Sequence, residues 1–286
     1  MRLHLLLTII LSMLIAAVRA EQYEVFLLAG QSNMDGRGAK KDLVGELASY
    51  AKLQPDVLIA FAAGGLHRPL TMSRGFVPLE PGYSGTPGQK PGGLPTGTFG
   101  PELSFGSTLA TGLPGKHVAL IKYAEGGTNL RADWNPDKKG SLYEKFIAFT
   151  RQSLKGLKDR GDTYEIRGMI WHQGESDASL PAAEYQKMLT EFIVRVRTDL
   201  AIKDLPFVIG EVYDNDKRDA VRDAQQAVAK TVPGTYFASA KGLQTFDAGT
   251  HFDAASQIKL GQRFAEPLLK LLATSKTGNP PPLPTP

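Results

Sequence analysis

The chain has 286 residues, 42% of them hydrophobic, with 33 Lys and Arg against 29 Asp and Glu, and no cysteine. That length and composition suit one large globular domain with a sizeable core. A formal charge of +4 without any Lys/Arg cluster leaves no footprint for nucleic acid, and the absence of thiols excludes disulfides, thiol catalysis, lipoprotein anchoring and thiolate metal sites.

Residues 1–20 read as a secretory signal peptide. Arg2 supplies the positive end, Leu5 to Val18 is apolar, and Val18-Arg19-Ala20 is a small-x-small cleavage site before Glu21. The apolar segment is too short for a membrane anchor and Arg19 closes it. No other stretch is long and apolar enough to span a membrane, so the expected location is secreted or periplasmic. Arg2 and Arg19 leave with the peptide, so the mature chain carries 31 basic and 29 acidic residues, a charge of +2.

Val25-Phe26-Leu27-Leu28 is an apolar run with no polar alternation, the pattern of a buried parallel strand. It stops at Gly30, and Ser32 follows at the carboxyl end, where open α/β sheets place their ligands. Asp35 to Gly38 reads as a loop, Asp42 to Leu53 as a helix and Asp56 to Phe61 as a second strand. Residues 64–100 change character, with eight glycines and five prolines between Gly75 and Gly100. Such a stretch, between well-patterned elements, reads as a long loop over the site. Pro101 to Leu113 is a helix, and His117 to Tyr123 a strand ending at Glu125-Gly126-Gly127-Thr128. After the helix Leu142 to Leu157, the strand Ile166 to Trp171 runs into His172-Gln173-Gly174-Glu175-Ser176-Asp177. Ala182 to Leu200 is a helix, Pro206 to Val212 a strand, Lys217 to Val232 a helix and Thr235 to Ala238 a short strand. The last helix begins after Asp253, an N-cap residue. Residues 21–273 thus form the domain, and 274–286, with five prolines, an unpacked tail.

Strands alternating with helices, without hairpin signals, mean an α/β fold with a mainly parallel central sheet covered on both faces. Right-handed crossovers bring the strand carboxyl ends to one edge. Ser32, the Gly126-Gly127 pair, Gln173 and Glu175 each follow a strand and should meet there.

A nucleophilic serine needs a base, an orienting acid and donors for the oxyanion. Of the mature chain's histidines, His117 begins a strand at the wrong edge, and His67 has no acidic neighbour close in sequence. His251 sits in Phe246-Asp247-Ala248-Gly249-Thr250-His251, with a carboxylate four residues upstream, and is the base candidate. No Gly-x-Ser-x-Gly occurs, which disfavours an α/β-hydrolase. His172 and Glu175 have a metal-ligand spacing but follow a strand and lack a third ligand, so no metal is expected. Arg37, Arg131 and Trp134 lie near the motifs as candidates for gripping a sugar or a carboxylate.

Gly30-Gln31-Ser32-Asn33-Met34, Glu125-Gly126-Gly127-Thr128, His172-Gln173-Gly174-Glu175-Ser176-Asp177 and His251-Phe252-Asp253 together resemble, in order, the motifs of the sialate O-acetylesterase-like domain of the SGNH hydrolase superfamily, carbohydrate esterase family 6. The resemblance implies a three-layer α/β/α sandwich of flavodoxin-like type that removes acetyl esters from sugars without metal or other cofactor. It implies Ser32 as nucleophile, His251 as base, and an oxyanion hole from the Ser32 N–H, a glycine N–H of Gly126 or Gly127, and the Gln173 side chain. The acid is open between Asp247, four residues before His251 where the superfamily often has three, and Glu175. The substrate is open between acetylated sialic acid and an acetylated polysaccharide such as xylan. A broad short-chain lipase or esterase of the same superfamily, and a non-catalytic carbohydrate-binding protein on this fold, are the competing readings.

Overall fold

In the computed structural model, residues 20–85 and 94–275 are described. In chain order the elements are β1 (Gln22–Gly30), α1 (Ser32–Asp35), β2 (Gly38–Ala39), β3 (Gln54–Ala63), β4 (Thr71–Met72), β5 (Val77–Leu79), β6 (Thr98–Phe99), α2 (Glu102–Gly112) and β7 (His117–Ala124). There follow α3 (Leu142–Asp159), β8 (Thr163–His172), α4 (Ala182–Asp199), β9 (Phe207–Gly210), α5 (Asp219–Thr231), β10 (Thr235–Ala238) and α6 (Ala254–Ser275).

The apolar run that begins at Val25 makes β1 the centre of the sheet. It is hydrogen-bonded in parallel to β7 on one side and β8 on the other. Outward from them lie β3 on the β7 side, and β9 then β10 on the β8 side, all parallel. Alternation along β1 feeds two cores. Val25, Leu27 and Ala29 pack with α3, α4 and α5 through residues such as Phe146, Leu189 and Val221. Phe26 and Leu28 pack with α2 and α6 through Phe105, Ile258 and Phe264. Each fully buried side chain of this size contributes about 1.5–3 kcal/mol. The result is a three-layer α/β/α sandwich, with Ser32 immediately after its central strand.

Two stretches differ from the sequence reading. Residues 42–53 are not an α-helix; two 3₁₀ turns, Lys40–Asp42 and Gly45–Ala51, take their place. Leu43 is buried and Leu47 and Tyr50 pack partly against the core, but Gly45 at the start of the second turn takes φ +57°, a left-handed conformation that interrupts a continuous α-helix. The long loop is more ordered than expected. Within it β4 and β5 pair antiparallel with β3, and β6 pairs with β2; its residues 86–93 lie outside the described residues. Lys122, fully buried on β7, donates to Asp35 O, Tyr83 O and Glu102 Oε2 at 2.7–3.0 Å, which ties α1, the loop and α2 together.

Asp253 caps the last helix as expected, its Oδ1 accepting from Ser256 N at 2.8 Å. That helix runs to Ser275, two residues beyond the expected domain boundary. The signal peptide expected over 1–20, Ala20 apart, and the tail from 276 onward lie outside the described residues. No helix among the described residues is long and apolar enough to cross a membrane.

Candidate active site

The turn after β1 is built so tightly that only glycine fits at its start. Gly30 has φ +150°, and a Cβ there would lie 2.0 Å from the His172 carbonyl oxygen. The next residue, Gln31, donates its N–H to that same carbonyl at 2.9 Å. The chain then turns into α1, so Ser32 sits where the ends of β1, β7 and β8 meet. Gly126 packs directly on it; a Cβ at Gly126 would stand 3.2 Å from Ser32 Cβ and 2.5 Å from Arg37 Nη2. Gly127 takes φ +78°, a turn that favours glycine. Ser32, Gly126, Gly127, Glu175 and His251 all line one open pocket of about 410 Å³.

His251 reaches that pocket from the loop between β10 and α6. Its Nδ1 lies 2.6 Å from Asp247 Oδ2. The extra residue between the candidate acid Asp247 and the candidate base His251 is absorbed in a tight turn, in which Gly249 N donates to Asp247 O and Gly249 takes φ +82°. Asp247 Oδ1 accepts the backbone N–H groups of Thr250 and His251, both at 2.9 Å. Burial pushes this carboxyl up, but those two N–H groups and the imidazole outweigh it and hold it below the usual carboxylate range. Phe246 stacks on the imidazole with ring centroids 5.9 Å apart.

Glu175 takes another place. Its Oε1 accepts from Asn33 Nδ2 at 2.7 Å and stands 3.6 Å from His172 Nδ1, while Oε2 has no hydrogen-bond partner among the described residues. Among the described residues no hydrogen bond or ion pair joins it to His251. His172 is fully buried, and burial lowers its pKa, keeping it neutral; Nε2 donates to Glu211 O at 3.1 Å.

Gln173, expected as an oxyanion donor, faces away. Its Nε2 lies within 2.5–3.1 Å of three buried acceptors, Asp177 Oδ2, Gln31 Oε1 and Thr128 O, and the residue is absent from the pocket wall. An amide has two hydrogens, and both are spent. That removes the Gln173 side chain from the donors free to meet an oxyanion. It holds the Gln31 and Thr128 loops around the serine instead.

Of the three candidates for gripping a sugar, only Arg37 lines the pocket. Trp134 is fully buried in the core with its indole N–H on Thr128 Oγ1, and Arg131 is exposed and paired with Glu184. Arg37 Nη1 is held by Asp35 Oδ2 and Gly36 O, and Nη2 has no partner among the described residues. Two further arginines, Arg68 and Arg218, also line the pocket. The sequence reading missed these two and Asn33. Asn33 Nδ2 donates to Thr250 O at 2.9 Å and its Oδ1 accepts from Phe252 N at 3.0 Å, so it grips the backbone on both sides of His251. Its position beside Ser32 was the available signal. Among the described residues no group of three or more His, Cys, Asp or Glu side chains is placed to hold a metal ion.

The family model for carbohydrate esterases described as sialic acid-specific acetylesterases matches residues 22–270. A probable carbohydrate esterase of Arabidopsis thaliana is 27% identical over 256 residues, 86% of this chain and 90% of that protein. Its X-ray structure superimposes with a TM-score of 0.67 at 24% identity, over 88% of this chain and 98% of that one. The crystal structure of NanS gives the same score at 16% identity, covering 90% and 99%. A carbohydrate acetylesterase from Xanthomonas citri gives 0.60 at 19% identity, covering 88% of this chain and 56% of that one.

Proposed function

The chain belongs to the carbohydrate esterase family of sialic acid-specific acetylesterases and is a carbohydrate O-acetylesterase of the SGNH type, and from that premise we propose an exported serine esterase that works through an acetyl-enzyme on Ser32. The observation that carries the mechanism is the 2.6 Å contact of His251 Nδ1 with Asp247 Oδ2 on the wall of the pocket lined by Ser32. Asp247 holds the imidazole so that Nε2 is the free base. His251 takes the Ser32 proton as Oγ attacks the acetyl carbonyl, and returns it to the departing sugar oxygen. Water activated by the same imidazole then attacks the acetyl-enzyme, releasing acetate and restoring Ser32. The N–H groups of Ser32 and of Gly126 or Gly127 are the donors assigned to the developing oxyanion. One such donor is typically worth about 10²–10³ in turnover.

The pocket's composition narrows the substrate. Its wall has three arginines and no apolar side chain, which favours an acetyl ester on a polar sugar over a longer acyl chain. Arg37 Nη2, which has no hydrogen-bond partner among the described residues, supports acetylated sialic acid over neutral xylan, because a guanidinium matches a carboxylate. The test is release of acetate from 9-O-acetyl-N-acetylneuraminic acid and acetylated xylan, and of 4-nitrophenol from 4-nitrophenyl butyrate, with Ser32→Ala as control. The acetylated sialic acid is expected to be turned over fastest and the control to be inactive. Equal release by Ser32→Ala would return the chain to a binding role, and faster butyryl hydrolysis to a general esterase. Amino-terminal sequencing of the exported protein is expected to begin at Glu21.

A further inference from the structure

The Asp247–His251 pair stands on a loop that does little to bury it, with side chains 32% and 28% exposed. Groups on such a loop are precisely placed only where other parts of the chain hold them. Thr250, the residue before the base, shows what holds them. Each of its polar atoms is bonded to a different residue. Its N–H donates to Asp247 Oδ1 at 2.9 Å, its carbonyl accepts from Asn33 Nδ2 at 2.9 Å, and its Oγ1 accepts from Arg218 Nη2 at 3.0 Å. Arg218 also directs Nη1 to Gly249 O, at 2.7 Å.

We propose that Arg218 is a positioning residue for catalysis, whose guanidinium clamps Gly249 and Thr250 and so holds His251 towards Ser32. This rests on the mechanism above, in which His251 is the base. Arg218 differs from the other two arginines of the pocket. Arg37 and Arg68 both pair with Asp35, whereas Arg218 forms no ion pair among the described residues and meets neutral acceptors of the catalytic loop. It is only 7% exposed, and a buried guanidinium without a counter-charge costs free energy that a neutral side chain would not. Its backbone is firmly anchored. Arg218 O accepts from Arg222 N at 2.9 Å in the first turn of α5, whose Val221, Ala224 and Val228 are buried in the core. Asn215, just before α5, adds a contact from Nδ2 to Gly249 O at 3.3 Å. A guanidinium suits this task because its planar fork meets two acceptors at once and keeps its protons at any working pH. Asn33 ties the loop to α1, which carries Ser32, and Arg218 ties it to α5. The base is thereby fixed from both sides.

The test measures kcat and KM for 4-nitrophenyl acetate and 9-O-acetyl-N-acetylneuraminic acid in the wild type, Arg218→Met, Thr250→Val and the double variant, with His251→Ala beside them. Arg218→Met is expected to lose about 10–100-fold in kcat on both esters with KM within about 3-fold, the scale of a base displaced by about 1 Å. Thr250→Val deletes one of the two contacts and should lose about 3–10-fold in the wild type, but less than about 2-fold in the Arg218→Met chain, where its partner is already gone. A role in stability alone would lower the melting temperature of Arg218→Met and leave kcat per folded molecule within about 3-fold of wild type, which overturns the proposal. An equal cost of Thr250→Val in both backgrounds overturns it too. So does a loss confined to KM for the sialic acid ester, which would make Arg218 a substrate contact. If Arg218→Met does not fold, Thr250→Val decides alone, and a kcat within about 2-fold of wild type overturns the clamp. His251→Ala is expected to be inactive; activity within about 10-fold of wild type would remove the mechanism and this proposal with it.

Discussion

Two histidine–carboxylate pairs stand on the same edge of the sheet, and their difference shows what sequence spacing does not. His251 and Asp247 are four residues apart on a loop, with side chains 28% and 32% exposed. His172 and Glu175 are three apart after β8, with side chains 0% and 3% exposed. The first pair is in hydrogen contact at 2.6 Å and open to the pocket; the second is 3.6 Å apart and closed off. Burial keeps His172 neutral and its one ring proton is spent on Glu211 O, so it has no proton to exchange with a substrate. His251 keeps Nε2 free because its partner binds Nδ1. The proposed mechanism therefore routes its proton transfer through the pair that is open to the pocket.

That contrast can be broken most sharply at the nucleophile they would serve. Ser32→Ala is expected to reduce kcat on 4-nitrophenyl acetate by at least ~10⁴, since removal of a triad serine costs up to about 10⁶; residual activity within 100-fold of wild type would separate both pairs from catalysis. Asp247→Asn is expected to lose about 10²–10⁴ on the same ester, and Glu175→Gln at least ten times less than that. The reverse order would make Glu175 the acid. Asn33→Ala removes the grip on Thr250 O and Phe252 N, and about 10–10² in kcat should go with it, the scale of a base displaced by about 1 Å. A loss confined to KM would refute the positioning role.

The smallest effect concerns stability. Burial lowers the His172 pKa in the folded protein below the ~6.5 of an exposed imidazole. Unfolding therefore takes up a proton as pH falls below about 6.5; stability is full above that value and declines below it. Asp247 acts in a separate window, because its lowered pKa withdraws stability only as pH falls through the carboxylate range. Urea midpoints should drop between pH 7.5 and pH 5 in the wild type and drop less in His172→Gln. Parallel curves would show that other groups carry the dependence.

Much of this arrangement is legible in the residues alone. The unbroken apolar run of β1, the alternation of strands and helices, and glycines after β1 and β7 determine an α/β sandwich with Ser32 at its active edge. They do so because burial on both faces of a parallel strand leaves little choice of residue, and because crossovers have one hand. The helix expected over 42–53 was not legible as 3₁₀ turns: Leu43, Leu47 and Tyr50 keep the helical spacing and reach the core, but spacing does not show that Gly45 takes a left-handed φ of +57°. The roles of Glu175, Gln173 and Asp247 belong to tertiary structure for a related reason. All three are polar residues at strand ends or in loops, equally able to serve as acid, donor or scaffold. Which oxygen or hydrogen stays free is settled by contacts from other parts of the chain: Asn33 on Glu175, Asp177 on Gln173, and the turn at Gly249 that folds Asp247 back onto His251. A hydrogen-bonding group's function is what its neighbours leave unspent, and neighbours distant in sequence exist only after folding.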